Sequence, residues 1–452
     1  MAKALIQDFT QGPLFKPMLK FAVPFMVSNA LQVLYNMADM LIVGKFTGSA
    51  GISAVMSGGF LVMFLAMTGM GMSTGGQVMI SQLIGKGEKY RLNTAIGSLL
   101  TMSMATAAIM SVLSVILSPI LLKTMQIPQE AFSAGVSYLA ICGGGIIFLY
   151  IYNTASAVLR GVGDSVRPFK FIVISAVLNV LLDLLFVAVF NWGVPGAAAA
   201  TVISQAVAMF MALHFIYKCR SDFGFDFKLK NFIPDKEITW ALIKLGVPFA
   251  VRFGAINISM IFVASLINSL GVAASAAFGI ALRLDEFANK ISQGVMMAIS
   301  TIVGQNIGAN NIQRIRKGVY YAWAICGVFF LGYGLIMYFF NRDFFRFFTD
   351  DEQVLALAPV IVTMLLLHYP ALLIMKGTNG FVQGIGNAVF GLIIALLDGF
   401  VCRIFFSWLF GIHLNMGLTG MVLGYALATY STALPNLFYF LFVPWHKRKT
   451  VI

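Results

Sequence analysis

The chain has little charge for its length. Asp, Glu, Lys and Arg make up only 10% of its 452 residues, while apolar and aromatic residues make up 60%. A soluble globular chain carries about 25% charged residues, so this composition excludes the soluble classes of enzyme and binding protein. With a mean hydropathy of +0.90, the chain is predicted to be a polytopic membrane protein.

Cysteine and histidine are also scarce, with four residues of each. Neither type clusters in the sequence: the cysteines are Cys142, Cys219, Cys326 and Cys402, and the histidines are His214, His368, His413 and His446. This spacing indicates neither a disulfide framework nor a metal site. No nucleophile is paired with a base, and no phosphate-binding loop is present. We therefore expect a protein that uses no cofactor and is not an enzyme.

Long apolar segments dominate the chain. Twelve of them are about 20 residues or longer, which is enough for a helix to cross a hydrocarbon core of about 30 Å. They cover 17–43, 52–80, 93–122, 132–159, 168–190, 196–217, 239–270, 274–303, 316–340, 354–382, 388–410 and 417–443. Strands of a membrane barrel are shorter and alternate in polarity, so an all-α membrane protein is predicted. The N-terminus lacks the apolar core of a signal peptide, so the first helix should remain in the mature protein.

The net charge is +13, and its distribution indicates orientation rather than a nucleic-acid partner. If the N-terminus is cytoplasmic, the loops on that side hold most of the basic residues: Lys3, Lys16, Lys86, Lys89, Arg91, Arg160, Arg167, Lys170, Lys218, Arg220, Lys228, Lys230, Lys236, Arg314, Arg316, Lys317, Lys447, Arg448 and Lys449. The opposite loops hold Lys45, Lys123, Arg342 and Arg346. The positive-inside rule then predicts a protein of the cell membrane with both termini in the cytoplasm.

The two halves of the chain are alike. MLKFAVPFMV at 18–27 resembles LIKLGVPFAV at 242–251, and VLRGVGD at 158–164 resembles FVQGIGN at 381–387, at an offset near 224. Six segments fall in each half, so both copies should enter the membrane in the same orientation. We predict six-helix lobes at 1–225 and 226–452, joined by the hydrophilic segment 218–238. Two dissimilar bundles around a central cavity favour alternating access over a channel.

Two carboxylates, Asp39 and Asp183, lie inside apolar segments of the first half. A charge there costs about 2.5–3.5 kcal/mol on insertion scales, so such residues usually face a cavity and act in transport. Other polar residues follow at helical intervals: Asn29, Gln32 and Asn36 before Asp39, Asn179 before Asp183, and Thr201 with Gln205. Carboxylate, amide and hydroxyl oxygens suit a proton or Na⁺. The alternative is that these groups only hold helices together, for about 0.6 kcal/mol per contact.

The second half carries more basic than acidic residues inside its apolar segments. One face of the eighth segment holds Arg283, Glu286, Lys290 and Gln293, and further charges are Arg252, Lys376, Asp398 and Arg403. Two interpretations stay open. In the first, the charges form internal ion pairs, for example Glu286 with Arg283 or Lys290, and Asp398 with Arg252 or Arg403. In the second, the charges line a cavity for an anionic or zwitterionic substrate. Pro24 and Pro248 remove backbone hydrogen bonds near the starts of the first and seventh helices and are candidate hinges.

Several motifs, in this order and at these spacings, resemble the multidrug and toxic compound extrusion (MATE) transporters over almost the whole chain. They are VPFMVSNALQVLYNMADMLIVGKFTG, GGQVMISQLIGKGE, ASAVLRGVGDSVRPF, SAVLNVLLDLLF, VPGAAAAT and VGQNIGANN. The resemblance implies twelve helices in two pseudo-symmetric six-helix lobes, with drug export coupled to inward H⁺ or Na⁺. It also implies a cation site in the N-terminal lobe at Asp39, Asn179, Asp183 and Thr201, with Tyr138 nearby. If Na⁺ is the coupling ion, these residues would bind it.

The sequence departs from the family pattern in the second half. Some members place acidic residues on helices seven and ten, whereas the stretches VPFAVRFGAIN and LHYPALLIMKGTNGF offer Arg252, Asn257 and Lys376. Ion coupling is therefore expected in the N-terminal lobe. The candidate substrate cavity comprises Gln32, Asn36, Asn153, Gln205, Arg252, Arg283, Glu286, Lys290, Lys376 and Asp398. An antiporter for small organic compounds, working as a monomer in the bilayer, is the first hypothesis, and a flippase or exporter of a lipid-linked or anionic substrate is the alternative.

Overall fold

Every regular element that the structure describes is a helix, which confirms the all-α prediction. The structure is a computed structural model, and it describes residues 7–220, 225–448 and 450–452. Predictions that concern Lys3, Lys449 and residues 221–224 of the linker lie outside the described residues, as does the side chain of Lys89.

Twelve long helices correspond to the twelve predicted segments. In chain order they are α1 (15–47), α2 (49–86), α3 (Lys89–Thr124), α4 (Gln129–Gly144 with Ile146–Gly161), α5 (Val166–Asp183, continued by a π-helical turn over Leu184–Val189), α6 (Gly193–Lys218), α7 (Lys236–Asn268), α8 (Val272–Gly308), α9 (Ile312–Phe339), α10 (Glu352–Leu366 with His368–Gly384), α11 (Ala388–His413) and α12 (Gly417–Ala428 with Tyr430–Phe442). Short helices lie at Leu229–Phe232, Asn341–Arg346 and Trp445–Lys447.

By length and composition alone, eight of the described helices could cross a membrane, or nine when the bent pair of α4 is taken as one span. That number treats α1 and α2 as a single helix. It also leaves out α8, which carries several charges, and α12, whose two segments are separated at Thr429. Counting α1 and α2 separately and adding α8 and α12 raises the number of helices from nine to twelve.

Gly48 separates α1 from α2. The two helices run together over Phe15–Lys86, 72 residues, and a straight helix of that length would extend about 108 Å, far beyond a hydrocarbon core of about 30 Å. At Gly48 the backbone has φ 70° and ψ −166°, which is not helical. A residue without a Cβ adopts this conformation at little cost, so the chain turns here and re-enters the membrane as α2.

Compact packing divides the chain into two units whose limits fall close to the two prolines. Unit 1 comprises 1–9, 27–250 and 451–452, and unit 2 comprises 10–26 and 251–450. The long helices change unit after residue 26 and after residue 250, in each case two residues after Pro24 or Pro248. Each unit therefore holds the first segment of a helix that continues in the other unit. Both helices run through their proline without a break.

Glycines allow these first segments to approach closely. In unit 1, a Cβ built at Gly71 of α2 would lie 2.6 Å from the backbone nitrogen of Ala250 on α7. In unit 2, a Cβ at Gly294 of α8 would lie 2.8 Å from the backbone nitrogen of Met26 on α1. Real Cβ atoms do not come this close to a backbone, so both contacts require glycine. The same type of contact thus occurs in both units.

Candidate ion-coupling site

The candidate site in unit 1 begins with a buried polar surface on α5. Asp183 is the last residue of the regular α-helix, directly before the π-helical turn Leu184–Val189. Its side chain is fully buried, and Asn179, one turn earlier, is 3% exposed. A π-helical turn often marks a functional position, and here it follows the carboxylate that the sequence singled out.

The buried oxygens of this surface have no hydrogen-bond donors. Both carboxylate oxygens of Asp183, both terminal atoms of the Asn179 amide and Oδ1 of Asp39 on α1 are buried without a hydrogen-bond partner. Asp39 and Asp183 nevertheless interact directly through their carboxyl groups. Two ionised carboxylates offer only acceptors, so this contact becomes a hydrogen bond only when one of them carries a proton. Leaving such groups unmatched in an apolar environment is costly.

The other predicted site residues lie on α4 and α6, and α6 packs against α5. Tyr138 of α4 interacts electrostatically with both aspartates, as does Cys142, one turn further along. On α6, the Thr201 hydroxyl donates to the Ala197 carbonyl at 3.0 Å, which leaves its oxygen lone pairs for another donor or cation. Cys142 was not singled out in the sequence because an isolated cysteine in an apolar helix has no distinguishing pattern.

Apolar side chains surround these groups. Tyr138 and Cys142 pack in one buried cluster with Val43 of α1, Val187 of the π-helical turn and Ala197 of α6. Helices α5 and α6 are also joined by a hydrogen bond, which the Ser175 hydroxyl donates to the Ser204 carbonyl at 2.8 Å. The apolar surroundings strengthen electrostatic interactions between the polar groups. They also raise the cost of leaving the two carboxylates charged.

This arrangement is chemically suited to a small hard cation or a proton. Two carboxylates, an amide oxygen and a hydroxyl oxygen are the ligand types that Na⁺ prefers, and a proton held between the carboxyls would remove one charge. Within the described parts of the chain, no group of three His, Cys, Asp or Glu side chains could hold a metal ion.

The remaining polar residues predicted in the first half lie around this core with varied exposure. Gln32, Asn153 and Gln205 are half-buried, and Asn36 is exposed. Tyr35 links the stripe to the site, because it interacts with both Gln32 and Asp39. Their assignment to a substrate cavity stays a prediction.

Ion pairs account for part of the charge in unit 2. Arg403 donates to both carboxylate oxygens of Asp398 at 3.1 Å, and the Thr432 hydroxyl donates to the same carboxylate at 3.1 Å. Asp398 therefore has Arg403 as its partner, one of the two that the sequence left open. Arg283 and Glu286 form an exposed pair at 3.4 Å. These contacts favour the ion-pair interpretation for these four charged residues.

Lys376 is different because neither of its hydrogen-bond acceptors is a carboxylate. It is buried, and its ammonium group donates to the side-chain oxygen and the backbone carbonyl of Asn289 at 2.9 and 3.2 Å. Arg252, which is half-buried, interacts electrostatically with Asp398 and with Lys376. Lys290 is half-buried on α8.

A family model matches the chain twice. It is the MatE model, and it covers residues 24–185 and 248–409. The first match begins at 24 and the second at 248, and they end at 185 and 409, so both shifts equal the 224-residue offset of the sequence repeat.

Known proteins resemble the chain over nearly its full length. "Probable multidrug resistance protein YpnP" of Bacillus subtilis is 28% identical, with 98% of both chains covered. Among solved structures, an outward-facing multidrug resistance MATE family transporter of the MOP superfamily has a TM-score of 0.91 at 22% identity, covering 99% of this chain and 98% of that one. A MOP superfamily transporter from Pyrococcus furiosus, described as having a binding pocket of reverse polarity, has a TM-score of 0.90 at 22% identity, with the same coverage.

Proposed function

Because this chain belongs to the MatE family of multidrug efflux transporters, we propose that it exports small organic compounds in exchange for inward-moving H⁺ or Na⁺. The family makes the protein a multi-pass membrane transporter and not an enzyme, as predicted. The coupling ion, the antiport mode and the residues that bind the ion are parts of the proposal.

The observation that carries the proposal is the pair of carboxyl groups in unit 1. Asp183 is fully buried beside Asp39, and its oxygens have no hydrogen-bond donor. Binding one H⁺ or Na⁺ would neutralise a charge that the apolar surroundings penalise, so the occupied and empty sites differ strongly in energy. A conformational change that alters the surroundings of α1 or α5 would then alter the affinity for the ion, and by linkage the ion would favour one conformation.

The proposed site consists of Asp39, Asn179, Asp183 and Thr201, with Tyr138 as a neighbouring hydroxyl. The transport cycle would be alternating access, which the two repeated six-helix halves support. We further propose a cell-membrane location with both termini in the cytoplasm, on the basis of the basic loops, and function as a monomer.

Transport by the purified full-length protein in lipid vesicles tests this proposal. A pH gradient and a Na⁺ gradient are imposed separately, and uptake is measured for a panel of cationic, neutral and anionic compounds. We expect one of the two gradients to drive transport, and Asp39→Asn and Asp183→Asn to abolish it. Asp350→Asn, an exposed acid of the α9–α10 loop, should transport like the wild type. Full gradient-driven transport by both asparagine variants would disprove the assignment.

A second candidate function is export of an anionic or lipid-linked substrate. It is favoured by buried Lys376, whose hydrogen-bond acceptors are both neutral oxygens of Asn289, and by the neighbouring Arg252. The similar Pyrococcus furiosus transporter is itself described as having a pocket of reverse polarity. In the same vesicles, Lys376→Ala and Arg252→Ala should then weaken transport of anionic compounds only. A uniform loss for all compounds, together with a lower unfolding temperature, would instead indicate a structural role.

A further inference from the structure

A second group of unmatched titratable side chains is buried in unit 2, distinct from the aspartates of unit 1. Asp285 lies on α8, His368 begins the second segment of α10, and Tyr425 lies on α12. They are 3%, 2% and 4% exposed, respectively. No sequence pattern connects them, because 140 positions separate Asp285 from Tyr425.

One oxygen of Asp285 is saturated and the other is not. The Tyr425 hydroxyl donates to Oδ2 at 2.9 Å, and the Asn289 amide donates to the same atom at 3.1 Å. Oδ1 has no hydrogen-bond partner. The atom that faces it is Nε2 of His368, at 3.7 Å, which is too far for a hydrogen bond.

The imidazole of His368 interacts with two acceptors, the Asp285 carboxylate and the backbone of Ala426. Neither ring nitrogen has a hydrogen-bond partner, yet the ring is directed towards the Asp285 carboxylate and also interacts with the backbone of Ala426. A neutral imidazole has a single N–H and donates to one acceptor, whereas an imidazolium has two. An imidazolium would therefore have an acceptor for each of its two N–H groups.

Charged and titratable groups on every neighbouring helix bear on this pair. On α11, the ion pair of Arg403 and Asp398 interacts with His368, and the Arg403 guanidinium lies over the Tyr425 ring at 5.0 Å. Tyr333 of α9, Tyr369 of α10 and the Lys376 ammonium of α10 interact with Asp285, and Lys376 also donates to Asn289. Arg252 of α7 and Lys290 of α8 interact with Lys376, and Arg252 also interacts with Asp398.

These charges favour a proton over a metal ion. The His368 ring interacts with two carboxylates and one guanidinium, and Lys376 and Arg252 bring two further positive charges to these carboxylates. A divalent ion would add two more charges beside Arg403 and Lys376, whereas a proton adds one. No three metal-binding side chains cluster among the described residues either.

We propose that His368 and Asp285 form a second proton-binding site, in which a proton on the imidazole is shared with the free carboxylate oxygen of Asp285. Hydronium supplies the proton, so one of its O–H bonds breaks as the N–H bond of the imidazolium forms and water is released; loss of the proton to water reverses both changes. Formation of the ion pair requires the 3.7 Å separation to shorten to about 2.8 Å. His368 directly follows the division of α10 at Leu367, where a small shift disturbs few helical hydrogen bonds.

Histidine protonation measured by nuclear magnetic resonance tests this site without using transport. The full-length protein, labelled with nitrogen-15 at its histidine side chains, is titrated in lipid nanodiscs from about pH 5 to 8, the range in which histidines change charge. His368→Gln assigns the signal. We expect His368 to become doubly protonated within this range, and Asp285→Asn to lower its proton affinity about tenfold or more.

A second variant keeps the test decisive if Asp285→Asn does not fold. Tyr425→Phe removes a donor to Asp285, which leaves the carboxylate more basic, and should raise the proton affinity of His368. His413→Gln, an exposed histidine on α11, and Asp39→Asn in unit 1 should leave the His368 titration unchanged. A His368 that stays neutral to pH 5, is insensitive to both unit 2 variants, or releases its proton when Na⁺ is added would overturn the proposal. None of these outcomes depends on whether unit 1 couples transport.

Discussion

At the scale of single residues, an apolar sequence context made some buried polar side chains predictable from the sequence and left others unpredictable. Asp39 and Asp183 are predictable from sequence because a carboxylate in an apolar segment carries a cost that few structural roles justify. Cys142 and His368 are not, since their burial becomes informative only when the helices that face them are known. The roles proposed for Asp39, Asp183 and His368 depend on that packing.

The Asp398 and Arg403 pair leads to a prediction about stability. Removing one partner of a buried ion pair leaves an uncompensated charge and costs about 3–5 kcal/mol, whereas replacing both with apolar residues is often neutral. We expect Arg403→Leu to lower the unfolding temperature in detergent, and Arg403→Met combined with Asp398→Leu to recover most of the loss. A single variant as stable as the wild type would show that the pair contributes little to the fold.

At the scale of helices, the prolines and the close glycine contacts both lie near the points where α1 and α7 pass from one unit to the other. The first segment of α1, up to residue 26, belongs to unit 2, and the first segment of α7, up to residue 250, belongs to unit 1. A glycine on α8 accommodates the first of these segments and a glycine on α2 the second. Sequence patterns identified the prolines as candidate hinges, and that role stays a prediction. The glycine contacts were not predictable, because apolar helices contain many glycines and the sequence of one helix does not show which of them meet the backbone of another.

Gly71 tests this contact. A methyl group there would meet the backbone of Ala250 at 2.6 Å, while one at Gly59, on the same helix, would meet nothing within 4 Å. Overpacking of this kind costs about 1–3 kcal/mol. We expect Gly71→Ala to lower the unfolding temperature and Gly59→Ala to preserve or raise it. Equal unfolding temperatures for the two variants would contradict the close approach of α2 and α7.

At the scale of the whole molecule, two sequence halves and two packed units do not coincide. The family model matches each half once, at 24–185 and 248–409. Unit 2 nevertheless includes residues 10–26 from the first half, and unit 1 includes residues 236–250 of α7 from the second. Each unit therefore consists mainly of one half of the chain and also includes one helical segment that the other half supplies.

Cutting the chain in its linker tests this exchange. Fragments 1–220 and 221–452 should be unstable when expressed alone, because each leaves an apolar surface uncovered, and should form a stable complex when expressed together. Purification through a tag on one fragment, followed by size-exclusion chromatography in detergent, measures both results. A stable, monodisperse fragment 1–220 on its own would show that the exchanged segments are dispensable.

The sequence by itself determined the all-α membrane class, the twelve helices, the repeat and the two intramembrane aspartates. Each of these follows from composition or from periodicity within one segment, where the apolar bilayer imposes the same requirements on any chain. Only the tertiary structure decided which helices exchange between the units, that Arg403 rather than Arg252 pairs with Asp398, and that His368 meets Asp285. These facts depend on contacts between residues far apart in the chain, and apolar helices of similar composition pack by local shape that no single segment encodes.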